Sequence, residues 1–93
     1  NWPKSRLNAW RTLLAARAIE NEAYVVGLNR SGIDNFNVDY GSGSSAVFDF
    51  RGEIITRRSG SPVITAKLSP SALQGFRKSF PAWKDADKFA LND

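Results

Sequence analysis

The sequence predicts an α+β fold in which mainly antiparallel strands are flanked by two helices, and three observations predict it. The first is a long segment with helical period, the second a short, almost continuous apolar run after it, and the third a series of alternating segments punctuated by Gly and Pro before a second helix start. The 93 residues leave room for one small domain, and the whole of 1–93 is read as a single segment.

Each element has its own signal. From Lys4 to Glu22, the positions Leu7, Trp10, Leu14 and Ala18 follow one helical face, and Ala9, Leu13 and Ala16 widen it. Pro3 precedes this helix, where a missing N–H costs nothing, and Ser5 or Asn1 is expected to serve the first-turn donors. Ala23 to Leu28 is expected to be a central strand covered on both faces, because its apolar run is nearly unbroken. Asn29 to Ser45 is too dense in Gly, Asn, Asp and Ser to hold one period and reads as a long loop. Ala46–Phe50 and Glu53–Thr56 form a hairpin about Arg51-Gly52, and after the break Ser59–Pro62 a further strand runs from Val63 to Leu68. Ser69 as cap with Pro70 at the first helical position, or Ser71 with Gln74 as a capping box, opens the second helix. Leu73, Phe76 and Phe80 share its apolar face until Pro81, and 82–93 is expected to be a docked coil with Asp85 and Asp87 facing solvent.

The missing residue types exclude more chemistry than the totals do. With no Cys and no His, the chain holds no disulfide, no thiolate nucleophile, no imidazole base and no ordinary zinc site, so Ser-His-Asp and Cys-His catalysis within it are impossible. Only Glu20, Glu22 and Glu53 are glutamates. No run of 18 apolar residues is present, which speaks against a membrane span and for a cytoplasmic chain. Asn1 stands first and Met is absent throughout, so the numbering is expected to begin inside a longer polypeptide.

The net charge of +4 with eleven aromatic residues raises the question of nucleic acid. Core packing accounts for Trp10, Phe76, Phe80, Phe48 and Phe50, and Ser45–Phe50 lacks the basic residue and Gly that open an RNA-recognition octapeptide. Tyr40-Gly-Ser-Gly-Ser-Ser45 invites a phosphate-loop reading but lacks the closing Gly-Lys-Ser/Thr and the helix that follows it. Arg17 and Glu20 are spaced to pair on the helix surface.

Asn1-Trp2-Pro3, Ala9–Leu14, Ala16–Asn21 and Tyr24–Gly32 resemble, in words and in order, the C-terminal half of the nitrilase superfamily of carbon–nitrogen hydrolases. Gly43–Glu53 resembles that family's Gly-x-Ser hairpin, and Phe80-Pro81 with Asp85 its closing helix. The likeness is greatest to the omega-amidase branch, which hydrolyses the side amide of 2-oxo acids, with Phe50 where many members have Pro and Ser44 where a larger polar residue is common.

The resemblance implies an alpha-beta-beta-alpha sandwich, of which this chain supplies a part. It also implies a mechanism in which a Cys nucleophile, a Glu base and a Lys act through a thioester with loss of ammonia, all three upstream of Asn1. None of Lys4, Lys67, Lys78, Lys84 or Lys88, and no Glu of this chain, takes those roles, so the chain alone is expected to be inactive, with no catalytic residue, cofactor or metal. Asn1, Trp2, Tyr40, Ser42 and Ser44 are expected at the rim of the substrate pocket, and Arg17, Glu20 and Asn21 as a buried structural network. The implied partners are a small amide substrate and a second copy, forming a homo-oligomer through the Lys4 to Glu22 helix, with no nucleic acid and no membrane. The rival reading is a standalone binding module for nucleic acid or a protein partner.

Overall fold

The computed structural model describes residues 1–58 and 63–81. A 3-10 turn, Lys4–Arg6, leads into α1 (Leu7–Asn21), followed by β1 (Val25–Gly27), β2 (Ala46–Phe48), β3 (Arg57–Arg58), β4 (Ile64–Thr65) and α2 (Pro70–Ser79). The architecture is α+β. β1 and β2 pair antiparallel with Val26 opposite Val47, and β3 and β4 pair antiparallel with Arg57 opposite Thr65. The break Ser59–Pro62, the coil 82–93 and Asp85 and Asp87 lie outside the described residues.

The first helix departs from expectation at both ends. Its opening turn is 3-10, and neither Asn1 nor Ser5 caps it, since neither the turn nor α1 has a side-chain cap bond. It stops at Glu22, which adopts a left-handed conformation at φ 47° and sends its N–H back to the Ala18 and Ile19 carbonyls. Ala18, fully buried, joins Ala46 and Phe48 in the core, with Leu14, Ala15 and Val25 packed around them.

β1 corrects the reading of a strand covered on both faces. Val26 is 64% exposed and Leu28 79%, because α1 covers one side and, among the described residues, β2 is the only strand paired with it. On the covered side the approach is close. A Cβ added to Gly27 would lie 2.3 Å from Leu14 Cδ1 and 3.1 Å from Trp10 Cζ2, so glycine lets helix and strand meet there.

The hairpin after β2 forms as its sequence indicates. Gly52, at φ +82°, donates to the Asp49 carbonyl at 2.9 Å, and Asp49 N–H reaches the Glu53 carbonyl at 2.8 Å. The returning arm is shorter than Glu53–Thr56, with one bridge between Phe48 and Ile54. Beyond it Ile55 N–H still donates to the Val47 carbonyl at 2.9 Å, while Val47 N–H donates to the Thr56 hydroxyl at 2.7 Å, a side-chain bond that competes with the ladder. The expected Val63–Leu68 strand is likewise reduced to β4.

Ser69 is the cap of α2, accepting from Ala72 N–H at 3.2 Å with Pro70 in the first turn; the Ser71–Gln74 alternative is not used for this cap. The Tyr24 hydroxyl accepts from Ser69 N–H at 3.1 Å and donates to the Ser69 carbonyl at 3.3 Å, while Arg77 Nε donates to the Glu22 carbonyl at 2.8 Å. Tyr24, Phe50, Phe76 and Phe80 form a continuous series of ring contacts with centroids 5.4, 4.7 and 6.4 Å apart. The shared face of Phe76 and Phe80 thus docks α2 through Phe50.

Candidate functional site

The end of β1 builds the centre of the site. Two residues past Gly27, the Asn29 side chain meets the backbone of Trp2 on both of its polar groups: Trp2 N–H donates to Oδ1 at 2.8 Å, and Nδ2 donates to the Trp2 carbonyl at 2.9 Å. The same Nδ2 donates to Ser44 Oγ at 2.9 Å. Asn29 N–H donates to Ser45 Oγ at 2.8 Å, and that hydroxyl donates back to the Asn29 carbonyl at 3.1 Å. Trp10 Nε1 closes the set by donating to the Ser44 carbonyl at 2.9 Å, with the Trp2 and Trp10 rings 5.7 Å apart.

Trp2 and Ser44 are therefore brought together, and Asn1, exposed, adjoins them. Asn29 is the residue that sequence reasoning missed. Its signal is an amide side chain, donor and acceptor at once, placed just after a strand, where it can match another segment's N–H and C=O pair.

The Asn29–Ser45 loop is ordered by its own side chains. Asp34 accepts from Phe36 N–H at 2.9 Å, Val38 N–H at 3.0 Å and the Tyr40 hydroxyl at 2.8 Å, and Arg30 lies 4.6 Å over the Tyr40 ring. Tyr40 is thus buried inside the loop and engaged with Asp34. Lys4 N–H donates to the Asp39 carbonyl at 2.8 Å and ties the loop to the 3-10 turn.

Ser42 is exposed and lines a cleft of about 370 Å³ together with Asn29, Ser31, Ser45 and Arg58. Arg58 Nη2 donates to the Gly43 carbonyl at 2.7 Å and also to the Ser45 carbonyl. Gly43, at φ +72°, supplies a backbone conformation that L side chains rarely adopt.

Arg17, Glu20 and Asn21 lie elsewhere. Arg17 and Glu20 pair at 3.3 Å with side chains 65% and 63% exposed, and Asn21 Nδ2 donates to the Arg17 carbonyl at 2.9 Å. The burial expected for them is not found: all three are exposed. Among the described residues the buried carboxylate is that of Glu22, 5% exposed, whose Oε1 has no hydrogen-bond partner there.

Hydroxyls, amides and one guanidinium can bind and orient a ligand, whereas the sequence has no thiol or imidazole for Cys- or His-based nucleophilic chemistry. Among the described residues no group of three His, Cys, Asp or Glu could hold a metal ion, and no helix is long and apolar enough to cross a membrane.

The loop has a signed pH dependence. The Val38 N–H first, then the Tyr40 hydroxyl, Phe36 N–H and the Arg30 charge, hold the Asp34 carboxyl below its ordinary value of 3.8 against a smaller opposing effect of desolvation. A carboxylate depressed in the folded state stabilises above its unfolded value, and that contribution is lost as pH falls through the lower, folded value. Protection of the Phe36 and Val38 amides, corrected for intrinsic exchange, is expected to persist at pH 5 and vanish on acidification below 3.8. Asp34→Asn should remove this pH dependence, and an unchanged profile in that variant would show that Asp34 does not order the loop. The hydrogen bond to Asp34 raises Tyr40 above its ordinary 10.0, so the hydroxyl stays a donor throughout the neutral range.

A helix laid on an antiparallel strand pair, with a polar loop cluster at the strand end, defines part of a layered α+β domain. The family model for carbon–nitrogen hydrolases matches residues 2–78. The chain belongs to the carbon–nitrogen hydrolase family. It is 48% identical to omega-amidase YafV of Escherichia coli K12 over 93 residues, covering 98% of this chain and 36% of that protein. With a 2-oxoglutaramate amidase of Paenarthrobacter nicotinovorans it shares 39% over 85 residues, 90% of this chain and 28% of the relative. A solved CN-hydrolase superfamily protein of Xanthomonas campestris, which carries an arsenic adduct in its active site, superposes with a TM-score of 0.83 at 42% identity over 99% of this chain and 35% of its own. The chain spans about a third of the length of the curated relatives it matches.

Proposed function

We propose that this chain is the C-terminal part of an amidase of the omega-amidase type, which hydrolyses the C–N bond of a small amide in the cytoplasm and releases ammonia through a Cys thioester. The observation that carries the reading is the match over nearly all of this chain to proteins named omega-amidase and 2-oxoglutaramate amidase. In this reading residues 1–93 are one segment of a carbon–nitrogen hydrolase domain. Asn1, Trp2, Ser42 and Ser44 stand at its pocket, Tyr40 stiffens the loop behind them, and the thiolate, the base and the Lys come from chain outside these residues. The exposed Leu13 and Ile19 of α1, 49% and 54% exposed, supply apolar surface for contact with a second copy.

Removal of the nucleophile of a covalent mechanism leaves only residual binding effects. The pure 93-residue chain is therefore expected to release no ammonia from 2-oxoglutaramate. A chimera in which this chain replaces the matched segment of the E. coli omega-amidase is expected to turn the substrate over. A soluble, folded chimera with no ammonia release, or turnover by the chain alone, would overturn the reading.

A further inference from the structure

We propose that Arg58, with the hydroxyls of Ser31 and Ser42, forms an anion subsite that takes the carboxylate of the amide substrate at the end remote from the scissile bond. The proposal rests on the amidase reading above. It adds a residue that recognises charge, drawn from a part of the chain that neither the sequence motifs nor the clustered bonds of Asn29 include.

Three observations carry it. The first is the cleft itself. Among the described residues its lining includes Arg58, three serines and Asn29, and contains no acidic side chain. Among the described residues the ion pair found is Arg17–Glu20, and Arg58 faces no carboxylate partner. A guanidinium in a concave polar site without a counter-charge favours an anion there, and a carboxylate matches its planar fork.

The second is that Arg58 is anchored. Its Nη2 donates to the carbonyls of Gly43 and Ser45, so the long side chain is held against the cleft wall from the start. Binding then loses less side-chain entropy than it would at a freely rotating surface arginine. A guanidinium has five N–H donors, and both carbonyl bonds use a single nitrogen.

The third is position. Asn29 lines the cleft and also holds the Trp2 backbone through two hydrogen bonds of 2.8 and 2.9 Å, which places the cleft beside the Asn1–Trp2 segment. A substrate that bears an amide at one end and a carboxylate at the other can reach both places at once. A neutral amide meets only one of them.

The test uses the 93-residue chain and a probe that cannot be hydrolysed. Titration with 2-oxoglutarate, followed by backbone and Asn29 side-chain amide resonances, is expected to shift Ser42, Ser45 and Asn29, while butyramide, a neutral amide, leaves them in place. Arg58→Gln is expected to weaken 2-oxoglutarate binding by about tenfold or more, the usual effect of deleting a charged hydrogen-bonding partner. Arg58→Lys, which keeps the charge, should retain part of the affinity. The Trp10 indole N–H resonance, which reports the bond to the Ser44 carbonyl, shows whether each variant keeps its loop. If both variants lose it, the wild-type comparison of 2-oxoglutarate with butyramide decides alone.

Equal binding of butyramide, binding unaffected by Arg58→Gln, or inorganic phosphate binding as tightly as 2-oxoglutarate would each overturn the subsite. Absent binding of 2-oxoglutarate with an active chimera refutes the subsite and leaves the amidase reading. Binding with an inactive chimera upholds an anion site and refutes that reading.

Discussion

Replacing Phe48 with alanine is expected to cost about 3–5 kcal/mol of folding stability, the usual range for a large aromatic removed from a packed core. Phe48 is 2% exposed, stands opposite Val25 in the β1–β2 pair, bridges to Ile54, and packs with Ala18 and Ala46. It is thus the side chain through which helix, strand pair and hairpin meet. A small domain of this length has a total stability of about 5–14 kcal/mol, so the substitution removes about a fifth or more of it. Phe48→Leu keeps most of the apolar volume and should cost less than half as much as the alanine change. Urea midpoints followed by circular dichroism measure both, and a Phe48→Ala midpoint equal to that of the wild type would refute this account of the core.

Asn29→Ala is expected to be nearly as damaging, by about 2–4 kcal/mol, because it strands several partners at once. The Trp2 N–H, the Trp2 carbonyl and the Ser44 hydroxyl each lose a hydrogen bond in a half-buried place, and an unsatisfied buried polar group costs about 1–3 kcal/mol. Asn29→Asp is the informative companion. It keeps an acceptor for Trp2 N–H but turns an oxygen toward the Trp2 carbonyl, so it should rescue little. Emission from Trp10, whose indole bonds to the Ser44 carbonyl, should change together with the urea midpoint in both variants. A full rescue by aspartate would mean that the Nδ2 bonds carry none of the effect.

Local signals were enough for elements that local chemistry decides. The apolar period of α1, the Gly52 turn and the Ser69-Pro70 start each depend on residues within a few positions, and each is present in the fold. The motifs of Asn1–Pro3, Tyr24–Gly32 and Gly43–Glu53 likewise sufficed for the family. What the sequence left unread depends on what lies across from a residue in space. Val26 and Leu28 look like a doubly covered strand because their side chains are apolar, yet cover is a property of neighbours, and among the described residues both stay exposed beside α1 and β2. Asn29 and Arg58 were passed over for the same reason. Each bonds to backbone groups 13 or more positions away, which carry no side-chain signature. Arg17 and Glu20 erred in the other direction, since a spacing that permits a pair says nothing of its depth.

The manner in which α2 is held has a consequence for the order of assembly. Among the described residues, its hydrogen bonds to the rest of the molecule join partners 45 and 55 positions apart, through the Tyr24 hydroxyl and the Glu22 carbonyl, and its packing rests on Phe76 against Phe50. Contacts that close such long loops form after local ones, and an element fastened at so few points is the first to release. In native-state hydrogen exchange the α2 amides should therefore report a subglobal opening, with the α1–β1–β2 unit still closed beneath it.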